Sequence, residues 1–287
     1  IAFCGVRFMA ESARILARPD QIVIHPEEKA GCPMADMANL EQAEEAWRIL
    51  SAMNPGRRIV PICYMNSNAE IKAFCGRHGG SVCTSSNAEN ILKWAWSEGD
   101  LVLFLPDEHL GRNTASKMGI DPDKVLVWNP KTTEAHSRDA RYSEAKLVVW
   151  KGFCLVHVRF KPEQIQEVRA QHPDAKIIVH PECPIEVASI ADAAASTEGI
   201  INYVKATKPG SKIFVGTEVN LVMRLAKQFP DREILPLYPS LCLNMAKVTL
   251  GHLLWVLEQP GSIGVVSVDP ALIADSQAAL KKMLETG

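Results

Sequence analysis

The sequence has no long hydrophobic run and no excess of charge of either sign. No apolar stretch reaches the about 18 residues that a membrane-spanning helix needs, and no basic segment followed by an apolar one opens the chain. The 31 Lys and Arg residues nearly balance the 33 Asp and Glu residues. The overall charge therefore favours neither nucleic acid nor an anionic membrane as a partner, and we expect a cytoplasmic protein.

The common local motifs of metal and nucleotide sites are also missing. None of the eight cysteines forms a Cys-x-x-Cys pair, which excludes a local zinc ribbon or thioredoxin motif on spacing alone. There is no Walker-type phosphate loop and no glycine-rich dinucleotide-binding turn after a strand. The chain is long and shows no export signal, so we expect reduced cysteines. Any metal site must be assembled from distant loops.

The chain is rich enough in apolar residues to build a sizeable core. Of its 287 residues, 47% are hydrophobic and 22% are charged, a composition typical of folded globular proteins. Short apolar runs alternate with amphipathic helical patterns, and the runs cover residues 21–25, 58–63, 101–105, 125–128, 147–150, 176–180, 212–215 and 233–235. This alternation predicts an α/β protein with parallel sheets covered by helices. Helices are also expected at residues 245–257 and 270–284.

One order of elements occurs three times along the chain. Each copy has a strand end, a loop of small or hydroxyl residues and a helix start, and the copies begin at Ala2, Ser81 and Asp192. Each then leads through another strand to a loop with one cysteine: Cys32, Cys154 or Cys242. The second and third copies are preceded by strands that end in the polar trios Tyr64-Met65-Asn66 and His180-Pro181-Glu182. The pattern predicts a threefold internal repeat whose first copy lacks its first strand and helix.

The three cysteine loops follow strands, where the ligand sites of open α/β sheets form. If the three copies face one another, the thiols of Cys32, Cys154 and Cys242 meet at one centre. Three thiolates are one short of a full set for an iron–sulfur cluster and leave one iron open as a Lewis acid. Cys183 is a competing ligand, and simple packing is the alternative for any cysteine. Packing is the expected role of the other four, Cys4, Cys63, Cys75 and Cys83.

Polar side chains that follow apolar runs are the other candidates for a site. They are Tyr64, Asn66, His180 and Glu182. An amide at such a place donates to a carboxylate, a Tyr or His moves protons and a Glu acts as general base; capping of the next helix is the alternative for the Asn and the His. Ser85 and Thr197 open helices, so each is either an ordinary N-cap or a contact to an anion.

Several short motifs occur in a fixed order over nearly the whole chain. They are Gly31-Cys32-Pro33-Met34, Cys63-Tyr64-Met65-Asn66, Cys83-Thr84-Ser85, Trp150-Lys151-Gly152-Phe153-Cys154, His180-Pro181-Glu182, Ser196-Thr197 and Cys242-Leu243-Asn244-Met245. Together they resemble the quinolinate synthase, or NadA, family. The resemblance implies three similar three-layer α/β domains with short parallel sheets around a pseudo-threefold axis, the first domain being incomplete. We expect domains at residues 1–57, 58–154 and 155–242, with C-terminal helices at 243–287 packing back on the body.

The resemblance also implies an activity in NAD biosynthesis. Enzymes of this family condense iminoaspartate with dihydroxyacetone phosphate to quinolinate and release phosphate and two waters. A functional link to an iminoaspartate-producing enzyme is a further expectation. The implied cofactor is a [4Fe-4S] cluster on Cys32, Cys154 and Cys242, with Cys183 rejected as a ligand. The implied catalytic residues are Tyr64, His180 and Glu182, and the implied substrate-binding residues are Tyr64, Asn66, Ser85, His157, His180, Glu182 and Thr197.

The family's N-terminal segment is absent from this sequence, and it corresponds to the part that the internal repeat lacks. Two other functions stay open. One is a non-catalytic iron–sulfur or redox-sensing protein on the same scaffold. The other is a zinc-dependent aldolase or lyase that uses His25 or His180 together with Cys32.

Overall fold

Helices and parallel strands alternate along the computed structural model, which describes residues 1–287 and confirms the α/β class. The helices are α1 (Arg7–Leu16), α2 (Leu40–Met53), α3 (Ala69–Arg77), α4 (Ala88–Glu98), α5 (Glu108–Lys117), α6 (Thr133–His136), α7 (Pro162–Gln171), α8 (Ile185–Ala188), α9 (Thr197–Ala206), α10 (Val219–Gln228), α11 (Leu250–Glu258) and α12 (Pro270–Thr286). The strands are β1 (Ile59–Tyr64), β2 (Ser81–Cys83), β3 (Leu101–Leu105), β4 (Val125–Trp128), β5 (Leu147–Trp150), β6 (Lys176–Val179), β7 (Ala193–Ala194), β8 (Lys212–Gly216) and β9 (Glu233–Pro236). None of the helices has the length and apolar character needed to cross a membrane.

The chain divides into two compact units. The first comprises Ile1–Glu108, Ile120–Gly152 and Leu243–Gly287, and the second comprises His109–Gly119 and Phe153–Cys242. Each unit contains one parallel sheet. The division into three similar domains stays a prediction.

The sheet of the first unit has five parallel strands in the order β2-β1-β3-β5-β4. Every residue of β1, β3 and β5 is buried. Helices therefore cover both faces, which explains why these strands are continuous apolar runs without alternation. Tyr64 pairs with Cys83, and Cys63 pairs with Leu105, so β1, β2 and β3 end at the same edge of the sheet.

The sheet of the second unit has four parallel strands in the order β7-β6-β8-β9. Successive residues of β6 enter different apolar clusters: Ile177 packs in one cluster and Ile178 in the other. Residues of α7 join the first cluster, and residues of α9 and α10 join the second. The second unit is thus a helix–sheet–helix sandwich of three layers.

The predicted strand at residues 21–25 is reduced to isolated bridges. Ile24 pairs with Ala2 in parallel and with Val265 in antiparallel orientation. The neighbouring backbone bonds, such as His25 N to Gly264 O at 2.7 Å, go to irregular segments. No partner strand is long enough to extend a ladder, so a regular strand does not form.

Two further elements differ from the sequence patterns. The helix expected at residues 245–257 starts later, because Thr249 caps α11 by accepting a hydrogen bond from His252 N at 3.2 Å. A separate 3₁₀ turn covers Met245–Lys247. The patterns also did not predict α3, in which the polar Lys72 is buried among apolar neighbours and obscures the helical periodicity.

Helix α12 packs on α3 through a close backbone approach at Gly76. A Cβ atom on Gly76 would overlap the backbone carbonyl of Asp275. Beside this contact, Ser276 Oγ donates to Ala69 O at 3.1 Å. Since glycine is the residue that brings two helix backbones closest, position 76 determines how closely α12 lies against α3.

We expect Gly76→Ala to lower the free energy of unfolding by about 1–3 kcal/mol, because the added methyl group forces α12 away from α3. Gly31→Ala is the matched control, since nothing lies within 4 Å of a Cβ placed there. Urea unfolding followed by circular dichroism measures both variants. Equal stability of the two variants would contradict the close-approach interpretation.

Candidate functional site

Tyr64, Asn66 and Ser85 lie at one edge of the first unit's sheet. Tyr64 is the last residue of β1 and is 5% exposed. Met65 N donates to Cys83 O at 2.7 Å, which ties the end of β1 to the end of β2. The structure therefore brings these three predicted residues to neighbouring strand ends.

Ser85 does not open a helix, contrary to the expectation from the sequence. Helix α4 begins at Ala88, and the preceding turn is closed by Asn87. The Asn87 Oδ1 atom accepts hydrogen bonds from Thr84 N at 2.7 Å and from Thr84 Oγ1 at 2.9 Å. Ser85 therefore lies in the turn that follows β2, and Thr84 and Asn87 shape that turn.

The loop after Tyr64 is held by the fully buried Lys72. Lys72 Nζ donates to Ser67 O, and Ser67 Oγ donates to Tyr64 O at 2.8 Å. Burial lowers the pKa of Lys72 to about 8, against the opposing charge of Cys63. Burial also acts to raise the pKa of Cys63, but a hydrogen bond with Cys75 and the charge of Lys72 outweigh it, so the pKa of Cys63 is lowered.

Cys32 lies in an irregular loop of the first unit. Its carbonyl accepts a hydrogen bond from Asp36 N at 3.2 Å. Cys32 and Met65 both pack against the small apolar cluster of Val6, Phe8 and Ala35. The loop that carries Cys32 and the loop that follows Tyr64 thus share one packing cluster.

Three predicted residues of the second unit form one buried group. Glu182 is 3% exposed and His157 is 7% exposed, and the His157 Nδ1 atom lies 2.9 Å from Glu182 Oε2. The His180 ring stacks on the His157 ring, with centroids 4.4 Å apart. Cys154 joins this group, because its sulfur and the ligand atoms of His157 and Glu182 all lie within 4.8 Å of one another.

Burial shifts the pKa values of two members of this group, His180 and Cys154. Desolvation, followed by the charge of His157, lowers the pKa of His180 to about 3, so its ring is neutral at neutral pH. The Nδ1 atom of His180 accepts a hydrogen bond from Glu182 N at 3.2 Å, which leaves the proton on Nε2. Burial, followed by the charge of Glu182, raises the pKa of the Cys154 thiol.

The helix α5 supports the loop that carries His180 and Glu182. Asn113 Nδ2 donates to Pro181 O and to Cys183 O, both at 2.8 Å. Bonding the backbone on each side of Glu182 restricts the orientation of its carboxylate.

Thr217 and Glu218 belong to this region and were missed by the sequence analysis. Thr217 Oγ1 lies 3.1 Å from His157 Nε2, the ring nitrogen that does not face Glu182. Glu218 Oε1 accepts a hydrogen bond from Cys242 N at 3.3 Å. One dipeptide at the end of β8 therefore contacts both His157 and the Cys242 loop.

The signal that could have found this dipeptide is present in the sequence. Two polar residues follow the apolar run of β8 directly, as His180 follows β6. At the end of β7 the arrangement is different: Ser196 Oγ accepts from Gly199 N at 3.2 Å and caps α9. Thr197 is thus the first residue of α9, and the capping role belongs to its neighbour.

The eight cysteines differ in their solvent exposure. Cys32, Cys154 and Cys242 are partly exposed residues, whereas four other cysteines are fully buried: Cys63, Cys75, Cys83 and Cys183. Packing in the interior was expected for Cys4, and this is wrong. Cys4 is exposed, because the segment before α1 forms only the single bridge at Ala2 and has no strand over it.

The chain matches a known family over almost its whole length. The model of the NadA family, described as quinolinate synthetase A protein, matches residues 1–285. The chain belongs to the quinolinate synthase family. Quinolinate synthases of two Bacillus cereus strains and of Bacillus mycoides are each 48% identical to it over 290 residues. These matches cover 99% of this chain and 78% of each relative, and they identify an enzyme of NAD biosynthesis.

The lowered pKa of Lys72 predicts a specific pH dependence in this quinolinate synthase family member. The folded chain loses the proton near pH 8 and the unfolded chain near 10.5, so the unfolded state binds more protons between these values and stability rises with pH there. The cost of the buried charge is fully present below pH 8. We expect the free energy of unfolding of the wild type, relative to Lys72→Met, to rise by about 3 kcal/mol between pH 8 and 10.5.

Urea unfolding of the two proteins at half-unit pH intervals measures this difference. Lys146→Met, which replaces an exposed lysine of the same unit, serves as control. A flat difference between wild type and Lys72→Met across this range would show that Lys72 does not titrate between pH 8 and 10.5.

Proposed function

We propose that the chain condenses iminoaspartate with dihydroxyacetone phosphate to form quinolinate, phosphate and two waters. The observation that carries this proposal is the family match over residues 1–285. The polar groups at the strand ends of both sheets support it, because a reaction with several proton transfers needs groups that hold and move protons. The buried group around Glu182 provides such side chains.

The proposed cofactor is a [4Fe-4S] cluster held by Cys32, Cys154 and Cys242. The donor chemistry fits, since these three cysteine residues are partly exposed in loops, and four of the other cysteines are buried in the interior. The three ligands leave one iron open. When bound, such a cluster supplies a Lewis-acidic iron that stabilises a hydroxide leaving group.

Glu182 is the proposed general base. Its carboxylate accepts a proton while His157 Nδ1, 2.9 Å away, forms a hydrogen bond with one of its oxygens. Thr217 holds the other ring nitrogen of His157 at 3.1 Å. This chain of contacts keeps the carboxylate in one orientation, which a base needs if it is to reach a particular carbon-bound proton.

His180 is proposed to act as a neutral hydrogen-bond donor. Its pKa of about 3 excludes a charged ring at neutral pH. With Nδ1 occupied by Glu182 N, its Nε2–H is the group available to a substrate oxygen. A neutral imidazole donor stabilises developing negative charge on a carbonyl oxygen without introducing a cation.

The remaining predicted residues are assigned to substrate binding. The amide of Asn66 and the hydroxyl of Ser85 lie after neighbouring strands of the first unit, and we assign them to carboxylate oxygens of iminoaspartate. Thr197, at the first turn of α9, is assigned to an anionic group because helix N-termini attract negative charge. Tyr64 is assigned to proton transfer.

The ligand assignment predicts which cysteines matter for iron. After anaerobic reconstitution with iron and sulfide, we expect Cys154→Ser and Cys242→Ser to lose the cluster, because two ligands do not hold it. Cys4→Ser and Cys183→Ser are matched controls, one exposed and one buried, and should keep it. Iron and acid-labile sulfide analysis with an absorption spectrum gives the readout. A cluster that persists in Cys242→Ser would remove Cys242 from the ligand set.

The base assignment predicts a loss of turnover at constant cluster content. We expect Glu182→Gln to keep its iron and to lower kcat by at least about 100-fold, because the amide cannot accept the proton. Glu186→Gln, an exposed residue of the following helix, should retain activity. Quinolinate formation by the reconstituted proteins is the measurement. Unchanged turnover of Glu182→Gln would exclude Glu182 as the base.

A further inference from the structure

Cys154, His157 and Glu182 form a compact set of three different donors. Their ligand atoms, one sulfur, one nitrogen and one oxygen, all lie within 4.8 Å of one another. Two donors bound to the same zinc ion lie about 3.5 Å apart. The separations from the sulfur therefore need to shorten by at most about 1.3 Å, and the Nδ1–Oε2 separation of 2.9 Å needs to widen by about 0.6 Å. Both shifts are within reach of side-chain rotation.

The surroundings of the set are those of a metal-binding histidine. The His157 Nε2 atom contacts Thr217 Oγ1 at 3.1 Å, which fixes the ring and leaves Nδ1 facing Glu182 Oε2. Second-shell partners of this kind orient the imidazole in metal sites. His157 Nδ1 and Glu182 Oε2 lie at hydrogen-bond distance, 2.9 Å apart, and a divalent cation bound by both atoms would take the place of that hydrogen bond.

Three neighbouring residues, Cys183, His180 and Cys242, are not part of the proposed ligand set. Cys183 is fully buried, and its sulfur points to Gly216 O at 3.7 Å. The Nδ1 atom of His180 is bonded to the backbone of Glu182. Cys242 is outside the set of three and is bonded through its backbone N to Glu218.

The chemistry of the three donors selects the class of ion. Thiolate, imidazole and carboxylate together suit a borderline divalent ion such as Zn²⁺ rather than Mg²⁺ or Ca²⁺, which prefer oxygen ligands. The burial of the Glu182 carboxylate, which is 3% exposed, also favours a cation, since a buried negative group needs a compensating charge. Three protein ligands leave the fourth position of such an ion open.

We propose that the cluster-free protein binds one Zn²⁺-class ion through Cys154 Sγ, His157 Nδ1 and a carboxylate oxygen of Glu182. The site does not depend on the proposed function, with which it shares only Cys154 as a ligand. Cys154 is a proposed ligand of both the single ion and the [4Fe-4S] cluster. We therefore expect a bound ion to compete with assembly of the cluster.

The test is an anaerobic titration of the cluster-free full chain with CoCl₂, which reports its ligands by absorption. We expect one equivalent of Co²⁺ to bind with a sulfur-to-cobalt charge-transfer band, and Zn²⁺ to displace it. Cys154→Ser should lose the charge-transfer band, and His157→Ala and Glu182→Gln should bind more than about tenfold more weakly, since each lacks one donor. Cys32→Ser and Cys242→Ser are the matched controls and should bind Co²⁺ as the wild type does.

Three results would overturn the proposal: no Co²⁺ binding by the folded wild type, unchanged binding by His157→Ala, or loss of binding in Cys32→Ser or Cys242→Ser. The last result would place the ion among the three cysteines instead. Circular dichroism of each variant separates a lost ligand from a lost fold. All of these readouts are independent of quinolinate formation, so failure of the proposed function leaves this test decidable.

A second arm measures the competition directly. Wild type loaded with one equivalent of Zn²⁺ should incorporate less iron and sulfide during reconstitution than the zinc-free protein. His157→Ala treated in the same way should show no such difference. Equal iron incorporation by zinc-loaded and zinc-free wild type would contradict competition for Cys154.

Discussion

Parallel strands that are buried on both faces leave room for polar side chains only where the strands end. In the first unit every residue of β1, β3 and β5 is buried, so a charged side chain within them would be desolvated at high cost. The strands of each sheet also run in one direction, so their carboxyl ends share one edge. The burial of the strands and their common direction together place polar residues at these edges. They are Tyr64 and Asn66 in the first unit and His180, Glu182, Thr217 and Glu218 in the second.

The same constraint creates the polar networks that orient these side chains. A polar group at a buried strand end needs a partner, and the partners here come from adjacent loops. His157 is bonded on both ring nitrogens, by Glu182 and Thr217. The loop after Tyr64 is held through Ser67 by Lys72, a charge retained in the interior at the cost of a lowered pKa.

Elements with strong periodicity could be predicted, and contacts between distant residues could not. The strands β3, β4 and β5 lie where the apolar patterns placed them, and helix α12 begins at the predicted Pro270, because local patterning decides such elements. The segment at residues 21–25 has the same apolar character but lacks a neighbouring strand. Whether a neighbouring strand is present cannot be read from the local sequence. The polar trios pointed to Tyr64 and Glu182, but the pairing of Glu182 with His157, 25 residues away, arises only when β6 and the Cys154 loop are folded.

The discontinuity of the first unit has a consequence for the order in which the chain folds during synthesis. The second unit is nearly continuous and is complete once Cys242 has left the ribosome, whereas the first unit also requires Leu243–Gly287. Helix α12 packs on α3 and β2, whose residues are synthesised about two hundred positions earlier. Until α12 arrives, the apolar side chains that it covers lack their partner, so the first unit can close only after the whole second unit has been synthesised.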